Sequence, residues 1–99
     1  MIKLLAKVFN KNKFTGTFPD FSLCLNLRDV RLQDNQISGY VSGSLSLNKY
    51  LTKINLKNNK LPAISGTALI NDLYENYLLR KRGGVIINLL GQSADSPSR

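Results

Sequence analysis

The side chains able to do chemistry in this chain are few and scattered. Asp20, Asp29 and Asp34 are isolated carboxylates with no second acid spaced for paired acid–base work. The chain has no histidine, which removes the imidazole both as a general base and as a metal ligand. Cys24 is the single cysteine, so it makes no internal disulfide, and no basic neighbour activates its thiol. Gly83-Gly84 lacks the lysine-serine pair of a phosphate loop, and Gly39-x-x-x-Gly43 lies in a polar stretch. The triplet Arg80-Lys81-Arg82 can bind anions, but its place at the end of a predicted helix accounts for it electrostatically. The expectation is a protein that is not an enzyme and uses no cofactor and no metal.

The remaining chemistry is that of carboxamides at regular spacing. Asn12, Asn35 and Asn59 stand 23 and 24 residues apart, each followed two residues later by an apolar residue (Phe14, Ile37, Leu61). Leu27-x-x-Val30-x-Leu32 precedes Asn35, and Leu51-x-x-Ile54-x-Leu56 precedes Asn59. Self-similarity at that period predicts a stack of short turns. In each turn, alternate apolar residues of a short strand face inward, and the asparagine closes the corner by hydrogen-bonding backbone groups left unpaired there. Three units start at about residues 4, 27 and 51. The first is degenerate, with Lys7 in an apolar slot between Leu4 and Phe9. After Asn59 the repeat is lost beyond Leu61-Pro62, where the ladder is expected to stop.

The second half of each unit narrows the pattern. Phe14-Thr15-Gly16-Thr17-Phe18-Pro19 follows Asn12, and Ile37-Ser38-Gly39-Tyr40-Val41-Ser42 follows Asn35. The shared form, apolar-Ser/Thr-Gly-x-apolar-Pro, resembles the plant-type leucine-rich repeat of receptor-like kinase and receptor-like protein ectodomains. The wording around Leu27–Leu61 is most similar to the transmembrane-kinase subfamily. The resemblance covers roughly residues 4–62. It implies an α/β solenoid-like fold of about 2.5 repeats with short parallel strands, a buried role for Cys24, and recognition of a protein or peptide ligand in signalling. It also implies an extracellular or membrane-associated setting and association with a larger receptor. Paired capping cysteines, a membrane span and a kinase segment, which full receptors carry, are not in this sequence. Met1–Phe9 is too short and too charged for a leader peptide, and no apolar run reaches the roughly 20 residues that cross a bilayer.

Residues 1–66 are thus expected to form the repeats. From Thr67, as N-cap, an amphipathic helix is expected to run to Arg82, with residues 67–83 as a possible cap on the array. Leu69, Leu73 and Tyr77 should form its buried face, flanked by Ile70, Tyr74 and Leu78. Residues 84–99 read as a short apolar run, strand or helix, and then a flexible tail from Gly91. The outward positions of the strands stack into columns: Val8, Arg31, Asn55; Asn10, Gln33, Lys57; Lys11, Asp34, Asn58. The candidate ligand face is therefore Arg31, Gln33, Asp34, Asn55, Lys57 and Asn58, and the structural ladder is Asn12, Asn35 and Asn59. A net charge of +8 sustains a second reading, a small basic protein binding nucleic acid or an anionic membrane, with nucleic acid the lesser alternative. A third is a truncated gene fragment without independent function. With so few turns, marginal stability is expected.

Overall fold

The computed structural model describes residues 6–8 (backbone only), 14–80 and 83–94. Lys11, Asn12, Lys81, Arg82 and residues 95–99 lie outside that set, so the first rung expected of the ladder is not described.

Among the described residues, six short strands and one helix follow in the order β1 (Ala6–Val8), β2 (Thr15–Thr17), β3 (Asp29–Arg31), β4 (Gln36–Gly39), β5 (Lys53–Asn55), α1 (Ala63–Leu79) and β6 (Ile86–Asn88). Strands β1, β3, β5 and β6 form one parallel sheet in that order, so the chain adds each strand beside the last. A second parallel pair, β2 with β4, lies after the corner, with its register shifting between Gly16 and Thr17. The first expected column is in register, Val8 pairing with Arg31 and Arg31 with Asn55, and beside it Lys7 pairs with Val30 and Val30 with Ile54. Asn10 and Lys11, which open the other two columns, lie outside the described residues.

Period-two patterning buries one face of the sheet. Val30, Leu32, Ile54 and Leu56 are fully or almost fully enclosed, joined by Leu27, Leu51, Ile37 and Leu45 from the corners. Each such side chain contributes about 1.5–3 kcal/mol of burial free energy. Phe18 closes the core beyond β2, edge-on to Phe21 at 5.4 Å and against Tyr40 at 5.3 Å. Cys24 is buried and free, as a core residue. The two repeat glycines serve different needs. Gly16 has φ +86, where a Cβ is strained, whereas at Gly39 a Cβ would lie 3.3 Å from Thr17 Cγ2 across the β2–β4 pair.

The C-terminal part departs from expectation in three ways. First, α1 begins at Ala63 rather than Thr67 and ends at Leu79. Pro62, in extended conformation (φ −73, ψ 166), sets its start without any side-chain cap, and its carbonyl accepts from Ser65 and Gly66 N–H. Arg80, extended, ends it and so is not inside the last turn; the rest of the basic triplet lies outside the described residues.

Second, the buried stripe is Ser65, Leu69, Asp72 and Asn76, while Ile70, Tyr74, Tyr77 and Leu78 are exposed and Leu73 is half-buried. Of the expected face, Leu69 is fully buried and Leu73 packs partly against the core, whereas Tyr77 and the flanking Ile70, Tyr74 and Leu78 turn outward. The physical reason lies beneath the helix. Residues 41–50 cross there as irregular backbone whose polar groups need partners. Asn76 Nδ2 donates to Leu45 O (2.9 Å) and Asn48 O (2.7 Å). Asp72 Oδ2 accepts from Gly43 N–H (2.7 Å) and from the Tyr40 hydroxyl.

Third, the apolar run after Gly84 is strand β6, paired with β5, and the segment after it is held in place. Gln92 and Ser93 hydrogen-bond the third turn, which is not how a flexible tail from Gly91 would behave.

Candidate functional site

Two amide ladders fix the strand face. In the first, Asn35 Oδ1 accepts from Phe14 N–H (3.1 Å), and Asn35 Nδ2 donates to Leu32 O (3.0 Å). Asn59 repeats this one turn on: Oδ1 accepts from Ile37 N–H (3.0 Å), and Nδ2 donates to Leu32 O (2.9 Å) and Leu56 O (3.0 Å). The ladder does not stop there. Gln92 Oε1 accepts from Leu61 N–H (3.1 Å) and Nε2 donates to Leu56 O (2.7 Å) and Leu89 O (3.2 Å). The residue before each rung is left-handed: Asp34 (φ 61), Asn58 (φ 59) and Gly91 (φ 74).

Sequence reasoning missed this last rung because α1 lengthens the third turn. The signal was present in Ile87-x-Leu89-x-x-Gln92, which matches Val30-x-Leu32-x-x-Asn35 and Ile54-x-Leu56-x-x-Asn59 at a longer spacing.

The second ladder, Cys24–Asn48–Asn76, runs along the opposite corner. Asn48 Nδ2 donates to Phe21 O (2.9 Å) and Cys24 O (2.7 Å), as Asn76 does to the following turn. Asn48 stands three residues before Leu51, as Cys24 does before Leu27, and that spacing could have identified it.

These ladders hold the outward residues of the strands in rows. Asp29, Lys53 and Ile86 form one row, and Arg31, Asn55 and Asn88 the next. Together with Gln33 and Ile54 they line a shallow depression of about 460 Å³. Arg31 grips Asp29 Oδ2 through Nε (3.1 Å) and Nη2 (2.9 Å). The pair is solvent-facing and contributes about 0–1 kcal/mol, so the guanidinium is available to a stronger acceptor. Asn55 Oδ1 accepts from Lys57 N–H (3.1 Å) and Asn88 Oδ1 from Leu90 N–H (3.0 Å), the same local turn in both strands, which leaves both Nδ2 groups as donors. Asp29 Oδ1 and Gln33 Oε1 are enclosed acceptors without a hydrogen-bond partner.

Of the six expected face residues, Arg31, Gln33 and Asn55 meet in the depression. Lys57 lies outside its lining. Asp34 and Asn58 occupy the left-handed corner, where Asn58 Nδ2 donates to Asp34 Oδ1 (2.8 Å). Asp29, Lys53, Ile86 and Asn88 join the depression instead, the last two because β6 exists. Among the described residues no group of three or more acidic, histidine or cysteine side chains is placed to hold a metal ion. No helix among them is long and apolar enough to cross a membrane.

Sheet and ladders thus define a parallel, sequentially stacked α/β chain with a polar outward strand face. Over 60 residues, 61% of its length, it is 40% identical to the receptor-like kinase TMK4 of Arabidopsis thaliana. The chain spans 6% of that protein, so the relationship is to a segment of a plant receptor-like kinase. No protein-family model and no solved structure matches the chain.

Proposed function

We propose that this chain is a short leucine-rich repeat array, non-catalytic, whose strand face recognises a protein or peptide ligand, as part of a receptor-like ectodomain that perceives a signal. The observation that carries the reading is the row of donors across three strands. Arg31, Asn55 and Asn88 present charged or amide donors at successive parallel-strand positions, about 4.8 Å apart. Such spacing suits a chain-like ligand lying across the strands, with successive acceptors met by these donors. The amide ladder and the similarity to a receptor-like kinase segment support the same assignment.

The test is selection of peptides from a random display library on the immobilised chain, followed by titration of the enriched sequences. Arg31→Ala and Asn55→Ala should weaken them about tenfold or more each. Enriched peptides that bind the double variant as tightly as the parent chain would remove the strand face from consideration.

A further inference from the structure

A second surface lies away from the strand face, at the corner where the chain enters β3 and β5. Leu25, Leu47, Tyr50 and Leu79 line a cleft of about 590 Å³, with Asn26 and Lys49 as its only polar lining. All four apolar residues are about half exposed, and Leu23 beside Cys24 is 81% exposed. They come from three successive turns and form a cluster, unlike the scattered single residues of an ordinary surface.

The rim is cationic. The Arg28 guanidinium lies 5.3 Å and the Lys49 ammonium 5.7 Å from the Tyr50 ring centroid, and both residues are exposed. No carboxylate lines the cleft. A second copy of the chain would bring like charges together, in a protein already at +8. An extended peptide would find only Asn26 and Lys49 as polar lining for its backbone, and each unpaired amide would cost free energy. Hydrocarbon has no such need.

We propose that this corner binds the surface of an anionic lipid bilayer, with Leu25, Leu47 and Leu79 entering the boundary between headgroups and acyl chains. Arg28 and Lys49 then meet the acidic headgroups. Tyr50 lies beside both cations, an amphipathic ring of the kind favoured at that depth. Apolar insertion and headgroup attraction add, as they do for other interfacial proteins.

The experiment is co-sedimentation of the full chain with vesicles of phosphatidylcholine alone and of phosphatidylcholine with phosphatidylserine. The chain should partition onto the phosphatidylserine vesicles, and less so as salt is raised. Leu47→Asp and Leu25→Asp, both at exposed positions and checked for parent-like circular dichroism, should each reduce partitioning about tenfold. Lys49→Glu should do the same, while Lys57→Glu, an equal charge change outside the cleft, should change it less than about threefold. Absence of binding at low salt overturns the proposal. So does an equal loss in the two lysine variants with none in the leucine variants, which would mean diffuse attraction. Self-association in solution that Leu47→Asp abolishes would show a second copy as the occupant and would likewise overturn it. Because the strand face is untouched by the corner variants, failure here is distinguishable from failure of the peptide-binding reading.

Discussion

Asn59 illustrates how much one carboxamide carries in this molecule. It is almost wholly buried, and its Oδ1 and Nδ2 atoms satisfy Ile37 N–H, Leu32 O and Leu56 O at the seam between two turns. Removing the amide strands backbone groups that water cannot reach, at about 1–3 kcal/mol for each group left unsatisfied. Asn59→Ala should therefore lower stability by roughly 2–4 kcal/mol in a denaturant titration, given partial relaxation. Asn59→Asp retains the acceptor but loses both donors and should also destabilise. A loss below about 0.5 kcal/mol for Asn59→Ala, the size of an ordinary surface change, would mean the ladder is ornamental. Gln92 makes the same three kinds of contact with one more methylene, which is why its residue type concealed its role.

At the scale of the element, α1 is docked by Leu69 together with the polar pair Asp72 and Asn76, while most of its other large apolar residues stay exposed. Tyr40 and Asp72 are the tie between it and the preceding turn. Burial, reinforced by the hydrogen bond to Asp72 and that carboxylate's charge, raises the Tyr40 hydroxyl far above its ordinary value of 10.0. The folded state therefore keeps this proton when the unfolded chain has released it. Stability from this group is complete below pH 10 and is lost as the pH rises beyond it. Thermal melts should show a fall in midpoint above about pH 10 that is smaller in Tyr40→Phe, although that variant is less stable at neutral pH because Asp72 loses a donor. A parent chain and variant with parallel alkaline profiles would remove Tyr40 as the cause. Asp20 works in the opposite direction at the other end of the scale. The Ser22 backbone N–H, donating to Oδ1 at 2.9 Å, holds its carboxyl below the usual carboxylate pKa, so its small, fully solvated contribution is present at neutral pH and disappears on acidification.

Across the whole molecule, the described strands of the larger sheet pair in series, and on the repeat reading proposed above stability is close to a sum over turns and seams. Few seams are present. The melting midpoint should accordingly fall below about 60 °C, within the ordinary mesophilic range or beneath it. Truncation before Gly84 removes β6 and Gln92 and exposes Leu56 O and Leu61 N–H. It should lower the midpoint by about 10 °C. Cooperative unfolding well above 60 °C by circular dichroism would overturn the expectation of marginal stability, and a truncation without effect would show that the fourth turn contributes nothing.

What the sequence determined by itself was local and periodic. Val30, Leu32, Ile54 and Leu56 alternate, so their inward direction follows from strand geometry alone, and the spacing of Asn35 and Asn59 set the register of the columns above them. The Arg31–Asn55 part of the candidate face was legible for the same reason. What only the tertiary structure decided lies past Leu61. Which face of α1 turns inward depended on the carbonyls of Leu45 and Asn48 and the N–H of Gly43 beneath it. Hydropathy does not record those groups. The addition of β6, which brings Asn88 into the depression and Gln92 into the ladder, depended on a 17-residue helix filling one turn and breaking the period. Periodicity reports what each residue does to its neighbours in sequence; the demands of buried backbone groups from another turn are set only when the turns meet.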